Sequence, residues 1–344
     1  RGSLSKATST TTRGTRMRRV GVPIDSLWTS AESAAHDSKS KSRYSSSIAW
    51  ATWALFAGMA LLLVGSGLYS TVIGVRAAEI GFSSFAIGAI GAGYYGGFLA
   101  GSRLTLVVLA QVGHIRVFVA FASLLTGSMI ATGMYPSVGS WIGLRFISGL
   151  CIAGLYVVAE SWLNHLATNE SRGKLLAVYM VISGGCFGAG QFLVGWVETR
   201  DLASFATAAL FTSLAVVPVA LSEDANPPVI APTEKYGLRD LARDTPSGAG
   251  SCLLVGLAHG ATAAMIAAYA TSVGMSAPEV GRFVAATAVG AVLLQWPISA
   301  ASDEIDRRFV GVVTAAGAVI VVIWLLIDGP FGGRGLVAMG LFGG

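Results

Sequence analysis

Runs of about twenty predominantly apolar residues recur from Ile48 to the end of the chain, and no other feature restricts the possible folds so severely. A hydrocarbon core about 30 Å thick is crossed by roughly twenty residues of helix, so each run is long enough to span a bilayer. Spans are expected at 48–74, 85–107, 115–134, 139–163, 173–197, 202–222, 249–273, 279–300 and 308–327, with a tenth beginning near Gly335. Lipid offers no partner to backbone N–H and C=O groups, which leaves helices or a closed barrel. The runs lack the strict alternation of a barrel strand, so the chain is expected to be an all-α integral membrane protein.

Within these runs the stretch from Gly81 to Phe118 reappears 193 residues later without a gap. Gly81-Phe82-Ser83 opens the first copy and Gly274-Met275-Ser276 the second, and Gly88 matches Gly281. Each copy closes on a short basic turn, Gly113-His114-Ile115-Arg116 in one and Asp306-Arg307-Arg308 in the other. Two hydrophobic hairpins related by duplication, with their charged turns on the same side, imply two homologous halves arranged as parallel repeats.

Charge supports a topology. Only 12% of the 344 residues are charged, against roughly 25% in soluble domains. With residues 1–47 placed in the cytoplasm, inward segments hold 18 of the 23 Lys and Arg residues. Outward loops hold Arg76, Arg200, Arg282 and Arg334, and Arg145 lies within a span. Positive residues accumulate on the cytoplasmic side of membrane proteins, so the net charge of +5 is explained without a nucleic-acid partner.

Residues 1–47 contain eighteen Ser or Thr and nine Lys or Arg, a composition that cannot bury a core and predicts a disordered cytoplasmic tail. Its Ser- and Arg-rich character also resembles an organellar transit peptide, and Met17 is a candidate start. The expected organisation is a helix bundle over 48–222, a polar cytoplasmic linker over 223–248 and a second bundle over 249–344. Within the linker, Lys235 to Asp244 reads as a short amphipathic piece. The second bundle is expected to be incomplete, its tenth helix cut at Gly344.

At this point the residues resemble the major facilitator superfamily. Its signature turn, Gly-x-Leu-x-Asp-Arg-x-Gly-Arg-Arg, is matched in part by Ser299-Ala-Ala-Ser-Asp303-Glu-Ile-Asp306-Arg307-Arg308. The first copy has Ala110 in place of the Asp and keeps Gly113 and a basic trail. Arg145-x3-Gly149-x4-Gly154 is similar to the family's fourth-helix motif. Three longer strings, Gly-Phe-Leu-Ala-Gly-Ser102 with Val-Gly-His-Ile-Arg116, Gly154-Leu-Tyr-Val-Val-Ala-Glu-Ser-Trp-Leu-Asn164 and Leu294-Gln-Trp-Pro-Ile298, resemble the bacterial YcaD-like branch. The resemblance implies the major facilitator fold, two pseudo-symmetric six-helix bundles, and alternating-access transport. Ser299, Ala300 and Glu304 depart from the second signature, where Gly, Arg and Arg are usual, which puts its inward gate in doubt.

Arg145 is the leading candidate for binding a substrate or controlling a coupling ion. It sits roughly 9 Å into its helix, a depth at which a guanidinium costs about 2.5–3.5 kcal/mol and needs polar company. His259, in the middle of the seventh span, is a candidate proton switch. Gln191 offers a neutral amide, and Tyr94 and Tyr269 are candidate cavity residues; packing is the competing reading for each. Glu160 is expected near the cytoplasmic end of the fourth span, in a gating ion pair with the first basic turn or with Arg172. Gly113, His114 and Arg116 in the first turn and Asp303, Arg307 and Arg308 in the second are the signature-turn candidates, pairing across the halves or with lipid headgroups.

Soluble-enzyme signatures are absent. There is no GxxxxGK[ST], HExxH or GxSxG, so nucleotide hydrolysis, zinc proteolysis and serine hydrolysis are unsupported, and no cofactor is expected. Cys151, Cys186 and Cys252 are isolated within spans and suggest neither a disulfide framework nor a metal site. The expected protein is a monomeric secondary transporter of the cell inner membrane that moves a small solute, coupled to protons, with its N-terminus cytoplasmic. A membrane-embedded sensor reusing the same fold is the competing reading.

Overall fold

The computed structural model describes residues 24–167, 171–198, 202–222, 243–329 and 332–343. Helices follow one another along the chain: α1 (Ile24–Ile80), α2 (Ser84–Val112), α3 (His114–Met134), α4 (Val138–Leu166) and α5 (Arg172–Phe192). After a short 3-10 turn at Leu193–Trp196 come α6 (Leu202–Leu214), α7 (Val216–Ala220), α8 (Pro246–Ser272), α9 (Ala277–Glu304), α10 (Arg307–Asp328) and α11 (Gly332–Gly343). Nine stretches among the described residues are long and apolar enough to cross a membrane, and they coincide with the nine complete spans expected from hydropathy. The first helix outruns its expected end at residue 74 because Arg76 and Glu79, one turn apart, pair at 3.3 Å.

Helix α1 also runs through residues 24–47, where composition had predicted disorder. No Gly or Pro interrupts the sequence from Ile24 to Ile48, so nothing local stops the helix from propagating. The amphipathic piece expected from Lys235 falls almost wholly outside the described residues, as do residues 1–23.

The duplication survives in local geometry. Gly81 and Gly274 both adopt positive φ, 84° and 91°. Each ends a helix with the same two hydrogen bonds: Gly81 N–H to Ala78 O and Phe82 N–H to Ala77 O, then Gly274 N–H to Thr271 O and Met275 N–H to Ala270 O. Serine follows in each copy. Ser83 accepts from the Ala86 N–H, whereas the Ser276 N–H donates to Glu279. At the far end Gly113, at φ 85°, lets α3 begin after a one-residue turn.

Packing repeats as well. A methyl at Gly97 would overlap the Phe146 carbonyl, and one at Gly290, 193 residues on, would overlap the Gly340 carbonyl. The missing side chains let α2 pack backbone to backbone on α4, and α9 on α11. Around α1, Leu55, Met59, Leu62, Leu68 and Tyr69 are almost wholly buried, making this helix the centre of the first set. Large apolar side chains elsewhere face outward, among them Val312, Ile320 and Leu326 on α10, as a surface in contact with lipid requires.

Candidate functional site

The close approach of α2 and α4 creates the site. Gly93 faces the Ile142 carbonyl, where an added Cβ would stand 2.8 Å away, and Gly149 packs directly on the Tyr94 carbonyl. With the backbones this near, Arg145, one turn before Gly149, lies against the Tyr94 ring. Its guanidinium carbon is 4.3 Å from the Tyr94 centroid and 5.3 Å from that of Tyr69 on α1. Two aromatic faces thus supply the polar company that an intramembrane arginine requires. Among the described residues no oxygen accepts from the guanidinium, and its buried Nε–H is without a partner.

Tyr69 is itself held in place. Its hydroxyl lies 2.8 Å from Thr132 Oγ1 and 3.4 Å from Ser148 Oγ, and Ser148 lies 3.0 Å from Ser128 Oγ. Trp141 Nε1 donates to the Thr132 carbonyl at 2.9 Å. These hydroxyls are buried on α1, α3 and α4, where unpaired polar groups would be costly, so the chain of contacts fixes the Tyr69 ring beneath Arg145. Ser128, Thr132 and Ser148 were not anticipated as site residues. Their signal was available: three small hydroxyls inside otherwise apolar helices, two of them one turn apart.

Arg145 also faces the second set of helices. It lines a cleft of about 20 Å³ with Ser70, Ile87, Gly91 and, from α8, Ala263 and Ala264. The other face of α8 behaves differently. Tyr269 joins Thr262, Met265 and Phe342 around a separate apolar cavity of about 250 Å³, so the structure does not bring Tyr269 to Arg145. His259 is exposed, one residue before Gly260, whose Cβ would meet the Tyr95 ring at 3.4 Å. Gln191 is buried where α5 packs on α1, with its side-chain oxygen unpartnered.

The two sets meet closely through small residues. Gly188 on α5 approaches Ala288 on α9, Gly195 in the 3-10 turn after α5 approaches Pro278 on α9, and Gly91 on α2 approaches Ala264 on α8. Every one of these contacts lies between mid-helix and the end that carries Gly81 and Gly274. Toward the basic-turn end, all nine residues from Ser251 to His259 are exposed, which is more than two turns and therefore every face of α8. Close contact through small residues is thus concentrated toward the Gly81 and Gly274 end, while α8 is exposed toward the other.

At the basic-turn end Glu160 is exposed and forms no ion pair with a described residue; Arg172 Nε donates instead to Asn164 Oδ1 at 2.8 Å. His114 is buried, stacked on Trp162 with centroids 5.7 Å apart and its Nε2 3.2 Å from Ser161 Oγ, so it is no free turn residue. Arg116, Asp303 and Arg308 are exposed. Asp306 caps α10, accepting from the Arg308 N–H at 2.8 Å. No group of three or more His, Cys, Asp or Glu side chains that could hold a metal ion occurs among the described residues.

Known proteins share this architecture. YcaD of Escherichia coli (strain 536 / UPEC), described as an uncharacterized MFS-type transporter, is 25% identical over 261 residues, 74% of this chain and 67% of that protein. The crystal structure of the nucleoside transporter NupG superposes with a TM-score of 0.66 at 9% identity, over 85% of this chain and 78% of that one. That of a D-xylose–proton symporter gives 0.60 at 14% identity, over 85% and 78%. A bacterial homologue of the human lysosomal transporter Spinster, solved inward-facing and unoccupied, gives 0.61 at 15% identity, over 86% and 73%. The Major Facilitator Superfamily description matches residues 55–344, and with it the duplicated helix sets acquire their name: this multi-pass membrane protein belongs to the Major Facilitator Superfamily of transporters.

Proposed function

We propose that the protein is a proton-coupled secondary transporter that moves a small solute by rocking its two helix sets about a midplane site, with the arrangement described here open toward the cytoplasm. One observation carries this reading: the close glycine contacts between the sets lie toward one end, while α8 is exposed on every face toward the other. A channel needs a continuous path, whereas alternating access needs a barrier at one end at a time. The basic turns lie at the exposed end of α8, and basic residues accumulate on the cytoplasmic side of membrane proteins, which supports a cytoplasmic opening and N-terminus.

Site roles follow from position. Arg145 lies at the inner limit of the opening, with Tyr94 and Gln191 in the closed half. Glu160 and His259 are both exposed, and in this reading each is a group to which water delivers a proton. An unpaired Glu160 suits this state, because a pair closing the cytoplasmic end must break when that end opens. Reconstitution in liposomes tests the reading: saturable flux with counterflow, accelerated by an imposed proton gradient, is expected. Solute binding without flux would instead favour a sensor, and flux indifferent to the proton gradient would remove the coupling.

A further inference from the structure

We infer that the cleft at Arg145 binds the carboxylate of a small, apolar-bodied organic monoanion, a specificity that rests on the transporter reading for its purpose and on the geometry for its chemistry. The two ring contacts, at 4.3 and 5.3 Å, hold the guanidinium in place but accept no N–H bond in its plane, and its buried Nε–H is without an acceptor. Donors fixed in this way, in a site of low dielectric, gain most from an ionised acceptor that takes two parallel hydrogen bonds.

Charge sets the valence. The cleft is lined by Ser70, Ile73, Ile87, Gly91, Ala263 and Ala264 around Arg145, with no carboxylate and no second cation. One negative charge neutralises the site. A dianion would bring an uncompensated charge into it, an amine would be repelled, and a neutral solute would leave the guanidinium unpaired; each is penalised in a buried setting. Size sets the pose. About 20 Å³ admits a carboxylate tip and excludes a solute body. The body then lies against the edge-to-face pair of Tyr94 and Tyr95, whose centroids are 5.3 Å apart and of which Tyr95 is part-exposed beside Gly260.

The second set carries nothing equivalent. The position 193 residues after Arg145 is Ala338, and those after Tyr69 and Tyr94 are Thr262 and Thr287. The anion site is therefore a single site on the first set, completed by α8.

Equilibrium dialysis of the purified protein against radiolabelled benzoate and hexanoate tests this. At least one should bind saturably and be displaced by the other, while benzamide, benzylamine, phthalate and chloride displace it weakly. Arg145→Gln should weaken binding about tenfold or more, and Arg145→Lys, which keeps the charge but loses the fork, should fall between. If Arg145→Gln fails to fold, the graded loss in Arg145→Lys still decides the matter. Absence of binding by both carboxylates, equal displacement by benzylamine or benzamide, or undiminished affinity in both variants would overturn the site. Flux in liposomes separates the two claims. Arg145-dependent binding without flux defeats the transporter reading and leaves the site standing, whereas flux of another solute untouched by Arg145→Gln does the reverse.

Discussion

Arg145 and Tyr94 meet at 4.3 Å only because Gly149 removes the side chain that would otherwise hold α4 away from the Tyr94 backbone. A glycine thus determines the placement of a cation one turn before it. The duplication carried the helix packing into the second set, at Gly290 and Gly340, but not the cluster itself. Structural symmetry and chemical asymmetry coexist in one fold.

The Tyr94 ring should matter more than its hydroxyl. Tyr94→Phe keeps the aromatic face and is expected to leave thermal stability in detergent almost unchanged. Tyr94→Leu removes the face from a desolvated guanidinium and should cost about 1–2 kcal/mol. Equal melting points for the two variants would show that the ring contact contributes nothing.

Helix contact at Gly97 has no slack. Gly97→Leu drives a side chain into the Phe146 carbonyl and should abolish a monodisperse peak in size-exclusion chromatography. Gly143, with open space around its missing Cβ, is the control. Gly143→Ala should be neutral or stabilise by about 0.5–1 kcal/mol through helix propensity.

The buried hydroxyl chain predicts a graded loss. Tyr69→Phe leaves Thr132 Oγ1 and Ser148 Oγ short of a partner and is expected to destabilise by about 1–3 kcal/mol. Adding Thr132→Val should restore part of that loss, since removing both partners costs less than removing one. A double-mutant cycle with purely additive penalties would argue against the chain acting as a unit.

Labelling with an impermeant thiol reagent reads the topology. Cysteines at Arg116 and Glu304, both exposed, should resist reagent added outside intact cells and react in inverted vesicles. Cysteine at His114 should react poorly from both sides, because that position is buried against Ser161 and Trp162. Outside labelling of Arg116→Cys would invert the orientation.

A cross-link should trap the closed half. A Cβ added at Gly188 would stand 2.9 Å from that of Ala288, so a slight parting of the two helices brings a cysteine pair to the roughly 3.5–4.5 Å that a disulfide spans. Oxidised Gly188→Cys/Ala288→Cys protein should lose flux and recover it on reduction. Full flux while cross-linked would mean that this contact never opens during transport.

Hydropathy and the internal repeat established the membrane class, the nine complete spans and the duplicated hairpin, and singled out Arg145 as a cation within a span, because lipid imposes its demands residue by residue along a helix. The repeat also singled out Gly81, Gly113 and Gly274, which stand at helix ends where the backbone takes a positive φ that favours glycine. Hydropathy missed the continuation of α1 beyond the membrane, since a helix propagates wherever nothing stops it. Only the tertiary structure decided which polar groups meet. Tyr269 and Tyr94 look alike in sequence, yet one faces an apolar cavity of the second set and the other an arginine. His114 reads as a turn residue and is buried, and Asp306 caps the helix that follows it. Rotation of a helix about its axis is set by the neighbours it packs against, and residues in contact here are separated by 63 or 79 positions along the chain. No local pattern encodes that rotation, so the site existed only once the helices had packed.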